Sequence, residues 1–138
     1  MNYWIRAYDN KKYRVADFIR DNGFIDWGMR NHFEVGDIVF LYATAPVSRL
    51  TFAMEVTRTG MSWKESVDDS EYFISQEHYD HWLAYRESTL YVRYSLVREL
   101  CSPSLSFHNL MEHGLGGAPR SPRRLQPEVV DYILSRFE

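Results

Sequence analysis

Two apolar segments separated by three residues constrain this chain most: VGDIVFLYATAP, from Val35 to Pro46, and LTFAMEVTRTG, from Leu50 to Gly60. A Gly-Asp turn feeds Ile38, Val39, Phe40, Leu41 and Tyr42, a near-continuous apolar run. Such a run suits a strand covered on both faces or curled into a barrel. The returning segment alternates, with Leu50, Phe52, Met54 and Val56 expected on one face and Thr51, Ala53, Glu55 and Thr57 on the other. The pair reads as a hairpin inside a small barrel, and the rest of the chain must wrap it.

The flanking sequence supplies that wrapping. Tyr3, Trp4 and Ile5 favour a first strand over residues 2–7, ended by the Asp9-Asn10 turn. Val15, Phe18 and Ile19 share one helical face, and Asn22-Gly23 forms its C-terminal stop. Residues 24–33 follow neither period and read as a polar loop presenting Trp27. Residues 62–77 are irregular and acidic, residues 78–85 fit either a short helix or a strand, and residues 90–97 alternate as a further strand. Ser102-Pro103 opens a helix with Phe107, Leu110 and Met111 as its buried stripe. Pro127 starts a last helix with Val129, Val130, Ile133, Leu134 and Phe137 on one face. The 138 residues, 45% hydrophobic and 16% aromatic, fit a single domain over positions 1–138.

Composition excludes several functions. No apolar run approaches the roughly 18 residues of a membrane span, and the opening residues lack a signal-peptide core, so a soluble, cytoplasmic protein is expected. The single cysteine, Cys101, rules out an internal disulfide and reads as a small buried hydrophobe. His78 and His81 lack a third ligand at metal spacing, HExxH is absent, and the Gly114–Gly117 stretch lacks the Lys-Ser/Thr ending of a phosphate loop. Neither a metal nor a cofactor is expected. Asp68 and Asp69 are consecutive in an acidic stretch and read as solvated turn residues. A net charge of −3 argues against coating nucleic acid through a global positive field. Arg120, Arg123 and Arg124 nevertheless make a locally basic segment that can contact phosphates, or simply serve as a solvated connector.

The aromatic set carries the functional expectation. Trp27 in a polar loop, with Tyr42 and Tyr8 nearby, can wall a slot for a flat ligand such as a nucleobase. Asp26, Asn31 and Thr44 would stand at the ligand's polar edge. These aromatics are otherwise ordinary rim packing.

YWIRAYD, YRVADFIRDNGFIDWG, VGDIVFLYATAP, LTFAMEV, VDDSEYF and HGLGGAPRSPRRL, in this order, resemble the EVE-like branch of the PUA superfamily, in particular the reader domain attached to HNH endonucleases. The resemblance implies an α+β fold, a PUA-like mixed β pseudo-barrel of five to six strands with flanking helices. It also implies an aromatic cage for a flipped, methylated or hydroxymethylated cytosine of DNA. Trp27 would be the stacking wall, Tyr42 and Tyr8 lining residues, and Trp63 a further candidate. The chain carries no HNH motif, so cleavage would need a nuclease partner. The alternatives are an RNA-binding module reading a modified base and a small hydrolase on the related ASCH barrel, for which Glu55 is the one acid on the second hairpin strand. An assembly module with an aromatic dimer seam is a further alternative.

Overall fold

The computed structural model describes residues 1–137. Its strands are β1 (Tyr3–Tyr8), β2 (Phe24–Gly28), β3 (Ile38–Ala43), β4 (Arg49–Met61), β5 (Tyr91–Glu99) and β6 (Arg123–Arg124). The α-helices are α1 (Val15–Asn22), α2 (Gln76–Tyr85), α3 (Phe107–Glu112) and α4 (Pro127–Ser135). The strands form one mixed sheet in the order β2-β5-β4-β3-β1-β6, in which β1 and β3 run parallel. The α+β architecture expected from the sequence is what the chain adopts.

β3 is central and covered on both faces, which explains its unbroken apolar sequence. Val39, Leu41 and Ala43 join the cluster that includes Val15, Phe18 and Ile19 of α1. Phe40 and Tyr42 join the opposite cluster, with Leu110 of α3 and Val129 and Ile133 of α4. The sheet also rolls. Arg6 of β1 donates from Nη1 to the Gly28 carbonyl of β2 at 3.2 Å, although three strands separate β1 from β2 in the sheet. That closure makes the pseudo-barrel and brings the end of β2 beside β1.

α1 follows the sequence reading, since Gly23 at φ 78° ends it and its amide donates to the Ile19 carbonyl at 2.7 Å. Other expectations change. Residues 24–28 form an edge strand rather than a loop, because polar Asp26 lies directly across from Arg93 of β5 and pairs with it. The alternation of β4 breaks at Thr51. Leu50 pairs with Tyr42 and Phe52 with Leu41, so Thr51 is a bulge and Leu50 packs with Ala53 instead of Phe52. Residues 76–85 are helical, capped by the Ser75 hydroxyl, which accepts from the His78 amide at 3.2 Å. Ser102-Pro103 opens only a 3-10 turn over Pro103–Leu105. α3 begins at Phe107 behind its own cap, Ser106, and Met111 faces solvent. Cys101 is exposed, as it follows β5 outside the sheet. Leu134 is likewise exposed on α4. Among the described residues no helix is long and apolar enough to cross a membrane.

Candidate functional site

The C-terminal end of β2, the start of β5, α2 and the segment following β4 enclose a cavity of about 610 Å³. That size suits a small organic ligand, the usual range being roughly 300 to 1,000 Å³. One wall is a stack. The Arg6 guanidinium lies 4.7 Å from the Trp27 ring centroid and donates to the Tyr94 hydroxyl at 2.9 Å. Trp27 in turn meets the buried Tyr94 edge-on, with ring centroids 5.9 Å apart. Facing residues include Trp82 of α2, Tyr91 at the start of β5, and Arg86 in the turn between them.

Asp69 lines the cavity as a buried carboxyl. It accepts from the Tyr13 hydroxyl at 2.7 Å through Oδ2. Burial pushes its pKa up to about 6, against the hydrogen bond from Tyr13, and the charges of Asp26 and Asp68 push the same way as burial. Burial likewise raises the Tyr13 hydroxyl, and the Asp69 charge adds to that. Asp69 is therefore not the solvated turn residue its sequence context suggested, whereas its neighbour Asp68 is exposed. Burial lowers the pKa of His78 at the cavity margin, with the charges of Lys12 and His81 acting in the same direction.

Asp26 has a different role. Its carboxylate takes a two-pronged hydrogen bond from Arg93 at 2.8 and 2.9 Å and a third from the Val67 amide at 2.8 Å. It thereby ties the segment after β4 to the edge of the sheet. Arg6, Arg30 and Arg86 also line the cavity, and none of them forms an ion pair with a carboxylate among the described residues. With Asp26 neutralised by Arg93, the cavity is net cationic.

Of the residues singled out from the sequence, the structure brings Trp27 and Asp26 to this cavity. Trp63 lines an adjoining one of about 320 Å³. Tyr8 is buried with its hydroxyl hydrogen-bonded to Thr51 at 2.7 Å, and Tyr42 packs on Phe107 in the opposite core cluster. Neither these two nor Asn31 and Thr44 line the cavity. Arg123 is held by the Gly117 carbonyl at 2.7 Å, Arg124 lies 5.3 Å over the Trp4 ring, and Arg120 is exposed. Glu55 is exposed on β4, away from the cavity.

Sequence reasoning did not find Arg6, Asp69, Trp82, Arg86 or Tyr91. The available signals were slight: Trp4, Arg6 and Tyr8 alternate on one strand, and Trp82 and Arg86 are four residues apart. Among the described residues no group of three or more His, Cys, Asp or Glu side chains is placed to hold a metal ion.

No family model and no curated protein matches the sequence. Solved structures do match in fold. An ASCH protein from Zymomonas mobilis superposes with a TM-score of 0.69 over 97% of this chain and 94% of that one, at 15% identity. A hypothetical protein from Leishmania major gives 0.65 over 98% and 93%, at 19% identity. A protein from Pseudomonas syringae gives 0.65 over 96% and 97%, at 14% identity. The chain shares the α+β, mixed-sheet fold of these structures, that of the Zymomonas ASCH protein among them.

Proposed function

We propose that this protein binds nucleic acid and receives one base in the cavity beside Trp27. The observation that carries this reading is the Arg6–Trp27 stack, which opens on a ligand-sized, net cationic cavity. Bases stack on both aromatic rings and guanidinium planes, at about 1 to 3 kcal/mol per base. Trp82 and Tyr91 offer further aromatic surface, and the arginines attract the phosphates.

The narrower form of the reading is a modified cytosine flipped out of DNA, as the EVE-like resemblance implies. Asp69 supports a cytosine, because an ionised carboxylate accepts from the exocyclic N4 amine. Flipping costs a few kcal/mol, which stacking and edge contacts offset only for a base that fits. Arg120 and Arg124 would contact phosphates outside the cavity, and any cleavage would fall to a nuclease partner.

The test is equilibrium binding of short duplexes carrying one plain, methylated or hydroxymethylated cytosine, at about 150 mM salt where non-specific contacts are suppressed. A tenfold preference for a modified duplex supports the narrow reading. A preference for matched single-stranded RNA moves the same cavity to RNA, and no base-dependent binding rejects the proposal.

One observation favours a second reading, a hydrolase. Burial pushes the Asp69 carboxyl up to about 6 in a cavity it shares with His78 and His81, and a carboxyl titrating near neutrality suits general acid–base chemistry. Turnover of a nucleotide substrate that is lost in Asp69→Asn would establish it.

A further inference from the structure

The wall of the first cavity is also the wall of a second. The adjoining cavity of about 320 Å³ shares Ser66, Val67, Trp82 and Arg86 with the first, and adds Trp63 and Lys64. Arg86 stands at this partition. Its guanidinium lies 4.0 Å from the Trp63 ring centroid and 5.1 Å from that of Trp82, so the two indoles hold it in place. It forms no ion pair among the described residues. Asp68 also lines this cavity; its carboxylate accepts from the Ser70 amide at 3.2 Å, and that bond, with a smaller contribution from the Arg86 charge, holds its pKa below the usual carboxylate range. The Lys64 ammonium lies 5.9 Å from the Trp63 ring and adds a second cation.

Trp63 and Trp82 belong to neither core cluster. Two large aromatics outside these clusters, both against a guanidinium that has no ion-pair partner among the described residues, form a surface suited to a ligand that is alternately flat and anionic. A polynucleotide is such a ligand, and consecutive bases along it are joined by one phosphate.

We propose that the second cavity is a subsite for the nucleotide adjacent to the one held beside Trp27, with Arg86 on the phosphate that joins them. This rests on the base-binding reading of the first cavity. The protein would then read a two-nucleotide step, and Trp63 would set preference at the flanking position by stacking.

The test uses single-stranded DNA pentamers with the preferred base at the centre and an abasic position on one flank or the other. For the wild type, one abasic flank should cost about tenfold in affinity, the size of a lost stack, and the other little. Trp63→Ala should lose the same factor on the intact pentamer and show no further loss with that abasic flank. Arg86→Gln should lower the salt dependence by about one phosphate contact. Trp63→Leu, which keeps an apolar side chain, should behave as Trp63→Ala does if stacking is the cause. Wild type and Trp63→Ala responding alike to both abasic pentamers would overturn the subsite but leave the first cavity's reading intact. Binding that survives Trp27→Ala unchanged would overturn both.

Discussion

The guanidinium of Arg6 stacks on the indole of Trp27, 4.7 Å from its centroid, and joins strands that three others separate in the sheet. The same group bonds the Gly28 carbonyl and the Tyr94 hydroxyl, so one side chain closes the barrel and holds up a wall of the cavity. Arg6→Lys keeps the charge but loses the planar fork. It should lower stability in urea by about 1 kcal/mol and weaken oligonucleotide binding more than its charge alone would explain. Unchanged stability and affinity would show that the stack is incidental.

Asp37 anchors the other end of the hairpin. Its buried carboxylate accepts from the Asn2 amide, the Trp4 indole and the Glu34 amide at 2.9, 3.0 and 3.1 Å. Burial alone would raise its pKa, but these three donors and the N-terminal ammonium hold it below the usual carboxylate range. Asp37→Asn presents one amide donor to a site built of donors, and should cost about 2 to 3 kcal/mol. A depressed pKa stabilises the fold above the unfolded value, near 4, and that stability is lost as pH falls through the folded value. The gap between wild type and variant should therefore be full at neutral pH and narrow in acid, which denaturation at a series of pH values would reveal.

Asp69 has the opposite sign. Its folded pKa of about 6 lies above the unfolded value of 3.8, so its contribution to stability is full below about pH 4 and is lost as pH rises through 6. Asp69→Asn keeps an acceptor for Tyr13 but cannot ionise. Above pH 6.5 the variant should be the more stable protein by up to about 3 kcal/mol, two pH units at 1.36 kcal/mol each. Parallel stability profiles for the two proteins between pH 4 and 7 would count against the burial of this charge.

Asp26 is a strut, with its side chain 1% exposed while that of its partner Arg93 is 25% exposed. Asp26→Asn should cost about 2 to 4 kcal/mol, less than a fully buried pair because solvent reaches Arg93. It should also speed hydrogen exchange at the Val67 amide, which loses the carboxylate acceptor. Protection at Val67 equal to that of the wild type would mean that the segment after β4 is held by other contacts.

The fold was legible where one period dominates. The unbroken run of β3 announced two covered faces, and Val15, Phe18 and Ile19 with Gly23 marked α1 and its end. The Thr51 bulge was not, because a one-residue insertion leaves the apolar alternation looking continuous while it moves Leu50 to the other face. β2 was hidden because Asp26 owes its place in a strand to Arg93, 67 residues away. The same distance effect governs the site. Trp27 stood out as an aromatic among polar neighbours, but its partners Arg6, Trp82 and Tyr91 come from three other elements and meet only when the sheet rolls. Tyr42 and Tyr8 were expected beside Trp27, yet Tyr42 belongs to the opposite face of the sheet and the Tyr8 hydroxyl is used by Thr51.

Whether Trp27 and its cavity hold a base is decided by comparing wild type and Trp27→Ala in equilibrium binding to short oligonucleotides with and without an abasic site at the central position, at about 150 mM salt. The wild type should discriminate against the abasic strand by tenfold or more, and Trp27→Ala should bind both strands with the same, weaker affinity. Retained discrimination in a folded Trp27→Ala protein would mean that the base is held elsewhere.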